Sequence, residues 1–131
     1  MKEIIIDTDI GTDVDDAFAL TYAMKNKSIR IKSISTVLGE TAIRAKIAKK
    51  LERMLGIDIP IIAGDRGPED SVRKYWTGVE KHALTEQELN ENLAEYKFPD
   101  YNKDMSLACI GPLTNIALQL KTNPFIKNIK N

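Results

Sequence analysis

Five aspartates lie within ten residues near the start of the chain, directly after the apolar run Ile4-Ile5-Ile6: Asp7, Asp9, Asp13, Asp15 and Asp16. A β-branched run followed by Asp-Thr-Asp-Ile-Gly-Thr-Asp predicts a buried strand that enters a tight turn. The apolar segment after the turn predicts a helix. Binding sites of open α/β sheets lie at such strand ends. Carboxylates this close repel one another unless a cation joins them, and a hard metal ion takes oxygen ligands.

Acidic residues also collect at helix starts without any metal. Aspartate caps free N–H groups there and interacts with the positive end of the helix dipole. Capping accounts for Asp13 and Asp15, but it leaves Asp7 and Asp9 unexplained. Capping therefore remains an interpretation of part of the cluster only.

The composition predicts one globular domain over residues 1–131. Lys plus Arg and Asp plus Glu number 19 each, so the balanced charge argues against nucleic acid or an anionic membrane as the main partner. The single cysteine, Cys109, excludes an internal disulfide framework and is expected in a buried strand. Because no long apolar run and no signal peptide pattern precede the first strand, we expect a cytoplasmic protein.

Strand and helix patterns alternate along the chain and predict an α/β fold, an open and mostly parallel sheet with helices on both faces. The predicted strands are residues 3–7, 30–37, 58–63 and 105–110. An amphipathic helix is expected to end at Gly56, with the Lys and Arg of residues 44–53 on a solvated face.

Three further segments complete the prediction. Residues 65–84 lack periodicity and are expected to form a long loop that carries Trp76 and His82. The capping box that begins at Thr85 predicts a surface helix to about Tyr96. Proline after Gly111 predicts the start of another helix. Residues 124–131 resemble a linker to a further strand, which suggests that the architecture is truncated at its C-terminus.

Four motifs, in order, resemble the inosine–uridine-preferring nucleoside hydrolases. The first, Asp-Thr-Asp-Ile-Gly-Thr-Asp-Val-Asp-Asp-Ala at residues 7–17, is similar to the aspartate signature of that family, with two more residues in the turn. The others are Thr-Val-Leu-Gly-Glu at 36–40, Ile-Pro-Ile-Ile-Ala-Gly at 59–64 and Gly-Pro-Leu-Thr-Asn at 111–115. The resemblance implies a Rossmann-like core, of which this chain is the N-terminal part, and a small-molecule nucleoside as substrate.

The resemblance also implies the chemistry and its residues. Nucleoside hydrolysis breaks an N-ribosidic bond through an oxocarbenium-like sugar, as glycosidases do, with Ca²⁺ holding the water and the ribose hydroxyls. Asp9 would bind the metal and act as general base, and Asp16 would bind the metal. Asp15 would accept a hydrogen bond from a ribose hydroxyl. The backbone carbonyl of Thr114 would be a further ligand, and Asp7 would orient the turn behind the ligands.

Weaker assignments and competing functions remain open. Glu40 would either face the ribose or stay a solvated carboxylate, while Asp13, Trp76 and His82 have no firm role. One alternative is a truncated, non-catalytic relative that keeps a metal-binding or assembly role, and the sequence leaves a homo-oligomer open. The other is a phosphatase of the haloacid-dehalogenase type, whose shorter Asp-x-Asp turn would not explain Asp15 and Asp16.

Overall fold

The computed structural model of the chain describes residues 1–123 and 126–127. The strands are β1 (Lys2–Thr8), β2 (Ile29–Thr36), β3 (Ile61–Ala63) and β4 (Ser106–Cys109), and the helices are α1 (Asp15–Lys25), α2 (Thr41–Leu55), α3 (Glu69–Tyr75), α4 (Glu86–Leu89) and α5 (Thr114–Thr122). A 3-10 helix covers Val79–Ala83. The strands form one parallel sheet in the order β3-β2-β1-β4, so the predicted sheet is confirmed.

The isoleucines of β1 divide between two apolar cores because successive side chains of a strand point to opposite faces. Ile6 packs with Leu20 of α1, Ile34 of β2 and Ala45 of α2. Ile5 faces the other way, into a smaller cluster with Tyr101, Met105 and Ile126, against which Ile116 of α5 packs. Helices therefore cover both faces of the sheet, as predicted.

Helix α2 ends where the sequence predicts. Gly56 follows its last residue and has a left-handed φ of 68°, and its N–H bonds back to the carbonyl of Arg53. Glycine adopts this conformation without the steric cost of a Cβ. The chain can therefore turn sharply towards β3.

Several predicted boundaries are wrong. Strand β3 has three residues rather than six, because Pro60 has no N–H for the ladder and the Ile59 N–H bonds to buried Glu52 instead. The capping box at Thr85 exists, but α4 stops at Leu89. Residues 65–84 are not a structureless loop, since they contain α3 and the 3-10 helix.

The prediction that the Lys and Arg residues of 44–53 form a solvated helix face is also wrong at one position. Arg44 is fully buried, whereas Arg53 of the same helix is exposed and pairs with Glu91 at 2.8 Å. The predicted linker over 124–131 lies outside the described residues except for Ile126 and Lys127.

Strand β4 is an edge strand of the sheet and pairs only with β1 in the described part of the chain. All four of its residues are half-buried. Within residues 1–123 and 126–127, no helix has the length and apolar character needed to cross a membrane. Because the strands are parallel, the carboxyl ends of β1, β2 and β4 lie side by side at one end of the sheet. The candidate site lies at this end.

Candidate functional site

A polar cavity of about 190 Å³ opens at the carboxyl end of β1. Its walls are the turn after β1, the first residues of α1 and the residue after β4: Asp9, Thr12, Asp13, Asp15, Asp16 and Ile110. Of the five aspartates, four line the cavity, and Asp7 is buried behind it. The turn therefore gathers the carboxylates that the sequence singles out, at the edge where open α/β sheets bind ligands.

Asp16 is the most constrained carboxylate of the cavity. Its Oδ2 accepts hydrogen bonds from the Thr8 hydroxyl at 2.5 Å and from the Asp9 N–H at 3.1 Å. Burial, together with the charges of Asp9 and Asp15, raises the pKa of Asp16 to about 6, although the Thr8 bond acts in the opposite direction. A bound cation would relieve this cost, because it favours the ionised carboxylate.

Asp7 links three elements behind the cavity. Its Oδ1 accepts hydrogen bonds from the Ser35 hydroxyl and, at 2.8 Å, from the Asn115 amide. Burial raises the pKa of Asp7 against the opposite effect of these two bonds. In the described part of the chain, Asp7 Oδ2 has no hydrogen-bond partner. Asp7 thus lies below the turn, where it connects β1 to β2 and α5.

The cavity is bordered by Ile110, the residue directly before the fourth motif. Thr114 is half-buried at the start of α5 and does not line the aspartate cavity, whereas Ile110 does. The Ile110 N–H bonds to the Asp7 carbonyl at 2.8 Å, which extends the pairing of β4 with β1 by one residue. The residue of this segment that borders the cavity is therefore Ile110, four residues before Thr114.

The remaining candidates lie outside the cavity. Glu40 is exposed at the start of α2, and its side chain makes no capping hydrogen bond. His82 is exposed on the 3-10 helix. Trp76 packs inward, with the Arg44 guanidinium 4.8 Å from its ring centroid. No group of three or more His, Cys, Asp or Glu side chains in residues 1–123 and 126–127 is arranged to hold a metal ion by itself.

The motifs and the cavity agree with a comparison against protein families. The family described as inosine-uridine preferring nucleoside hydrolase matches residues 4–131. The chain belongs to this family. Because the match covers nearly the whole chain, it decides between the two enzyme classes considered from the sequence, in favour of the nucleoside hydrolase over the phosphatase.

Two curated relatives of the chain are more than twice as long as it is. It is 28% identical to a probable uridine nucleosidase 1 of Oryza sativa subsp. japonica, over 98% of this chain and 44% of the relative. It is also 28% identical to the pyrimidine-specific ribonucleoside hydrolase RihB of Escherichia coli O1:K1 / APEC, over 95% of this chain and 44% of the relative. The chain thus spans less than half the length of these two relatives.

Solved structures support the same fold. An inosine-guanosine nucleoside hydrolase superposes with a TM-score of 0.71 at 26% identity, over 99% of this chain and 46% of that one. A plant nucleoside hydrolase superposes with a TM-score of 0.68 at 24% identity, over 98% and 45%. The sheet and helices described above are therefore those of the N-terminal part of a nucleoside hydrolase fold.

Sequence reasoning missed several residues that build the candidate site. Asn115 lies within a recognised motif, but its role in holding Asp7 requires a partner 108 residues away. Glu80 is fully buried beside the turn, and nothing in its local sequence signals this. Ile110 could have been found, since the residue after a parallel strand lies at the edge where ligands bind.

Gly39 lies close to the Trp76 ring, and this contact leads to a prediction about stability. Its φ is +75°, and an added Cβ would lie 2.5 Å from Trp76 Cδ2. We expect Gly39→Ala to lower the free energy of unfolding by about 2 kcal/mol, because a left-handed residue costs about 1 kcal/mol and the ring must also move. Urea denaturation measures the change.

Gly78 provides the matched control for this prediction. Its φ is +81°, but an added Cβ would meet no atom within 4 Å. Gly78→Ala should therefore cost only about 1 kcal/mol, the conformational part alone. Equal losses for the two variants would show that the contact with Trp76 carries no energy.

Cys109 gives a chemical prediction. Burial, and secondarily the charge of Asp7, raises the pKa of its thiol to about 11. Since the thiolate is the reactive form, alkylation by iodoacetamide at about pH 8 should be roughly 20-fold slower than for a cysteine peptide, after allowance for the greater nucleophilicity of a high-pKa thiolate. The rate should rise with pH beyond pH 10, and a plateau near pH 9 would contradict the assignment.

Proposed function

We propose that this chain carries the metal-binding and water-activating part of a Ca²⁺-dependent nucleoside hydrolase, which cleaves the N-glycosidic bond of ribonucleosides to ribose and free base. The observation that carries the proposal is the cavity in which Asp9, Asp15 and Asp16 come together at the end of β1. The family membership supports the reaction class. Because the chain spans less than half of its relatives, the proposal concerns the whole protein's activity.

The donors at the cavity fit a hard cation in part. Ca²⁺ takes about 6–8 oxygen ligands at flexible angles, including carboxylates, carbonyls and water. Asp9 and Asp16 offer two carboxylates, and the pKa of Asp16 is raised by burial and by the neighbouring charges of Asp9 and Asp15, which a bound cation would offset. For the carbonyl ligand we favour Ile110 over Thr114, because Ile110 borders the cavity. When bound, the ion would hold the attacking water and the ribose hydroxyls.

Each side chain then has a stated task. Asp9 would accept the proton of the attacking water as general base, since its position on the turn after β1 is open to the cavity. Asp15 is exposed on the cavity wall and would accept a hydrogen bond from a ribose hydroxyl. Asp7 would keep the turn in place from below, through Ser35 and Asn115. For Glu40 the geometry favours a solvated carboxylate over a ribose contact.

The proposal extends to the setting of the reaction. The printed names of the relatives are those of a uridine nucleosidase and a pyrimidine-specific ribonucleoside hydrolase. These names support a small-molecule nucleoside as the substrate, and we propose a role in nucleoside salvage in the cytoplasm. The charge balance of 19 acidic and 19 basic residues supports a small substrate rather than a nucleic acid or a membrane.

The test is release of base from inosine and uridine and of nitrophenol from p-nitrophenyl riboside, with Ca²⁺ and then with a chelator. The activated riboside needs little help with its leaving group, so it is the most sensitive substrate. We expect turnover well below the roughly 1 s⁻¹ usual for enzymes, because one wall of the site comes from this chain and misplacement by even about 1 Å costs on the order of 100-fold.

Two variants define the outcome. Turnover of the riboside that disappears on chelation and in Asp9→Asn, but persists in Asp104→Asn on the exposed surface, supports the proposal. Turnover that is unchanged both by chelation and by Asp9→Asn rules out Asp9 as the general base and Ca²⁺ as the required metal. Ca²⁺ binding without any turnover would favour the runner-up, a non-catalytic relative that keeps the metal site. A p-nitrophenyl phosphate control checks for phosphatase activity.

A further inference from the structure

Arg44 is a buried cation that reaches the aspartate turn from α2. Its side chain is completely excluded from solvent. The Nε donates to the Leu38 carbonyl at 2.7 Å, and one terminal nitrogen donates to the carbonyls of Asp9 and, at 2.8 Å, of Ile10. The other terminal nitrogen donates to the Thr12 hydroxyl at 3.1 Å. Three of the four acceptors therefore belong to the turn that lines the cavity.

The surroundings of Arg44 hold it in one orientation. The Trp76 ring lies over the guanidinium at 4.8 Å. The Thr12 hydroxyl accepts from Arg44 and donates to buried Glu80 at 2.8 Å. Burial alone would raise the pKa of Glu80, but hydrogen bonds from its own backbone, from Thr12 and from Thr77 outweigh it and lower the pKa. Glu80 is thus an ionised carboxylate that balances the cation through a hydroxyl.

Burial of the Arg44 charge is unfavourable, and the hydrogen bonds that offset this cost are made mostly to the turn. Within residues 1–123 and 126–127, Arg44 has no carboxylate within ion-pair distance, 4.0 Å. Removing a charge from water without a direct partner is unfavourable. Charge-assisted hydrogen bonds to carbonyls recover part of that cost. Because three of these four hydrogen bonds are accepted by the turn, the conformation of the turn is coupled to Arg44.

The contacts fix two consecutive peptide planes. In a trans peptide the carbonyl and the next N–H point in opposite directions. With the carbonyls of Asp9 and Ile10 directed at Arg44, the N–H groups of Ile10 and Gly11 point away from it. The Ile10 N–H meets the Thr8 hydroxyl at 3.1 Å, and the same hydroxyl donates to Asp16. Arg44 and Asp16 thus hold the turn from opposite sides.

We infer that Arg44 is a positioning residue that sets the backbone of the turn and thereby aims the Asp9 carboxylate into the cavity. The effect acts through the geometry of the guanidinium, whose planar fork reaches several acceptors at once, rather than through charge alone. The part of the inference that concerns Ca²⁺ affinity rests on the proposed function. The part that concerns the turn rests on the contacts alone.

Arg44→Lys tests the inference because it keeps the charge and loses the fork. Amide hydrogen exchange at Asp9 and Ile10 should accelerate at least about 10-fold, since loss of one charge-assisted bond is worth that much. Ca²⁺ affinity by calorimetry should fall about 10-fold, the usual effect of removing a residue that supports a metal ligand. Arg53→Lys, on the exposed face of the same helix, should change neither value.

The comparison of amides separates positioning from general destabilisation. Exchange at Ile5 and Ile34, which lie within β1 and β2, should change much less than exchange in the turn. Equal acceleration everywhere would overturn the inference, as would a folded Arg44→Lys variant with an unchanged turn. If Arg44→Lys fails to fold, Thr12→Val removes one of the turn contacts and the bridge to Glu80, and it must accelerate the same turn amides.

Failure of the proposed function is distinguishable from failure of this inference. If the unmodified chain binds no Ca²⁺, the metal proposal is wrong, and the exchange rates of the turn amides alone decide the role of Arg44. If the unmodified chain binds Ca²⁺ and Arg44→Lys binds it within about twofold, the metal proposal stands and Arg44 does not position a ligand.

Discussion

Replacement of Asp16 by asparagine is expected to weaken Ca²⁺ binding by at least about 100-fold, since loss of a supporting residue already costs 10–100-fold and Asp16 is proposed as a direct ligand. Asparagine keeps the shape of the side chain and an acceptor oxygen for the Thr8 hydroxyl and the Asp9 N–H. The change therefore removes charge and ligand strength while it leaves the turn in place. Calorimetric titration should be done at about pH 7.5, where a carboxyl with a pKa of about 6 is ionised.

Asp104→Asn is the charge-matched control, because Asp104 is exposed and precedes β4, whereas the cavity lies beyond the carboxyl end of that strand. Its Ca²⁺ affinity should equal that of the unmodified chain. Lowering the pH towards 6 should weaken binding in the unmodified chain, as protons compete for Asp16, and should have little further effect on Asp16→Asn. An Asp16→Asn variant that binds as tightly as the control would remove Asp16 from the ligand set.

Replacement of Asn115 by leucine is expected to lower the free energy of unfolding by about 3 kcal/mol, through buried polar groups that lose their partners. The Asn115 amide donates to Asp7 at 2.8 Å and to the Thr36 carbonyl at 3.0 Å, and its oxygen accepts from the Asp65 N–H at 2.7 Å. One side chain therefore connects α5 to both central strands and to the segment after β3. Leucine has a similar volume, so the loss reports on hydrogen bonds rather than on a cavity.

Lys121→Leu, on the exposed end of the same helix, introduces the same side chain without touching this network. Its free energy of unfolding, measured by urea denaturation, should change by no more than about 0.5 kcal/mol, the range of ordinary surface changes. A loss below about 1 kcal/mol for Asn115→Leu would mean that water replaces the missing donors and acceptors. In that case Asn115 would not be a structural link between the motifs.

The sheet and the aspartate turn could be predicted because their signals are local. The run Ile4-Ile5-Ile6 is long enough for a strand, and a glycine in the aspartate-rich segment marks the turn. The helix after it is indicated by the apolar segment that follows the turn. These features identify the carboxylates and the edge of the sheet at which they meet.

The buried Arg44 could not be predicted in the same way. Arginine is rarely buried, and along α2 it is followed by Lys46, Lys49, Lys50 and Arg53, which together indicate a solvated face. What distinguishes Arg44 is a set of backbone carbonyls about 34 residues earlier in the chain. Periodicity describes which side of a helix is apolar, and it contains no information about a polar partner elsewhere.

Short elements were the other source of error. Helix α3 has seven residues and a single fully buried one, Val72, so it leaves no periodic pattern. In α4 the capping box fixes the start, but Thr85 and Glu88 carry no information about length. The helix stops before Asn90, where the chain offers few apolar residues for packing. Start signals are local, whereas helix length depends on what the helix packs against.

The order of the strands has a consequence for how the chain folds during synthesis. Strand β1 lies between β2 and β4 in the sheet of the described residues, and β4 is synthesised almost a hundred residues after β1. At about 5–20 residues per second this interval lasts several seconds. During this interval the edge of β1 that later pairs with β4 has no partner strand. Asp7 also lacks the hydrogen bond from the Asn115 amide, which is 108 residues downstream. The aspartate turn is therefore made about a hundred residues before two of the contacts that complete it, so premature pairing of β1 is the folding hazard of this topology.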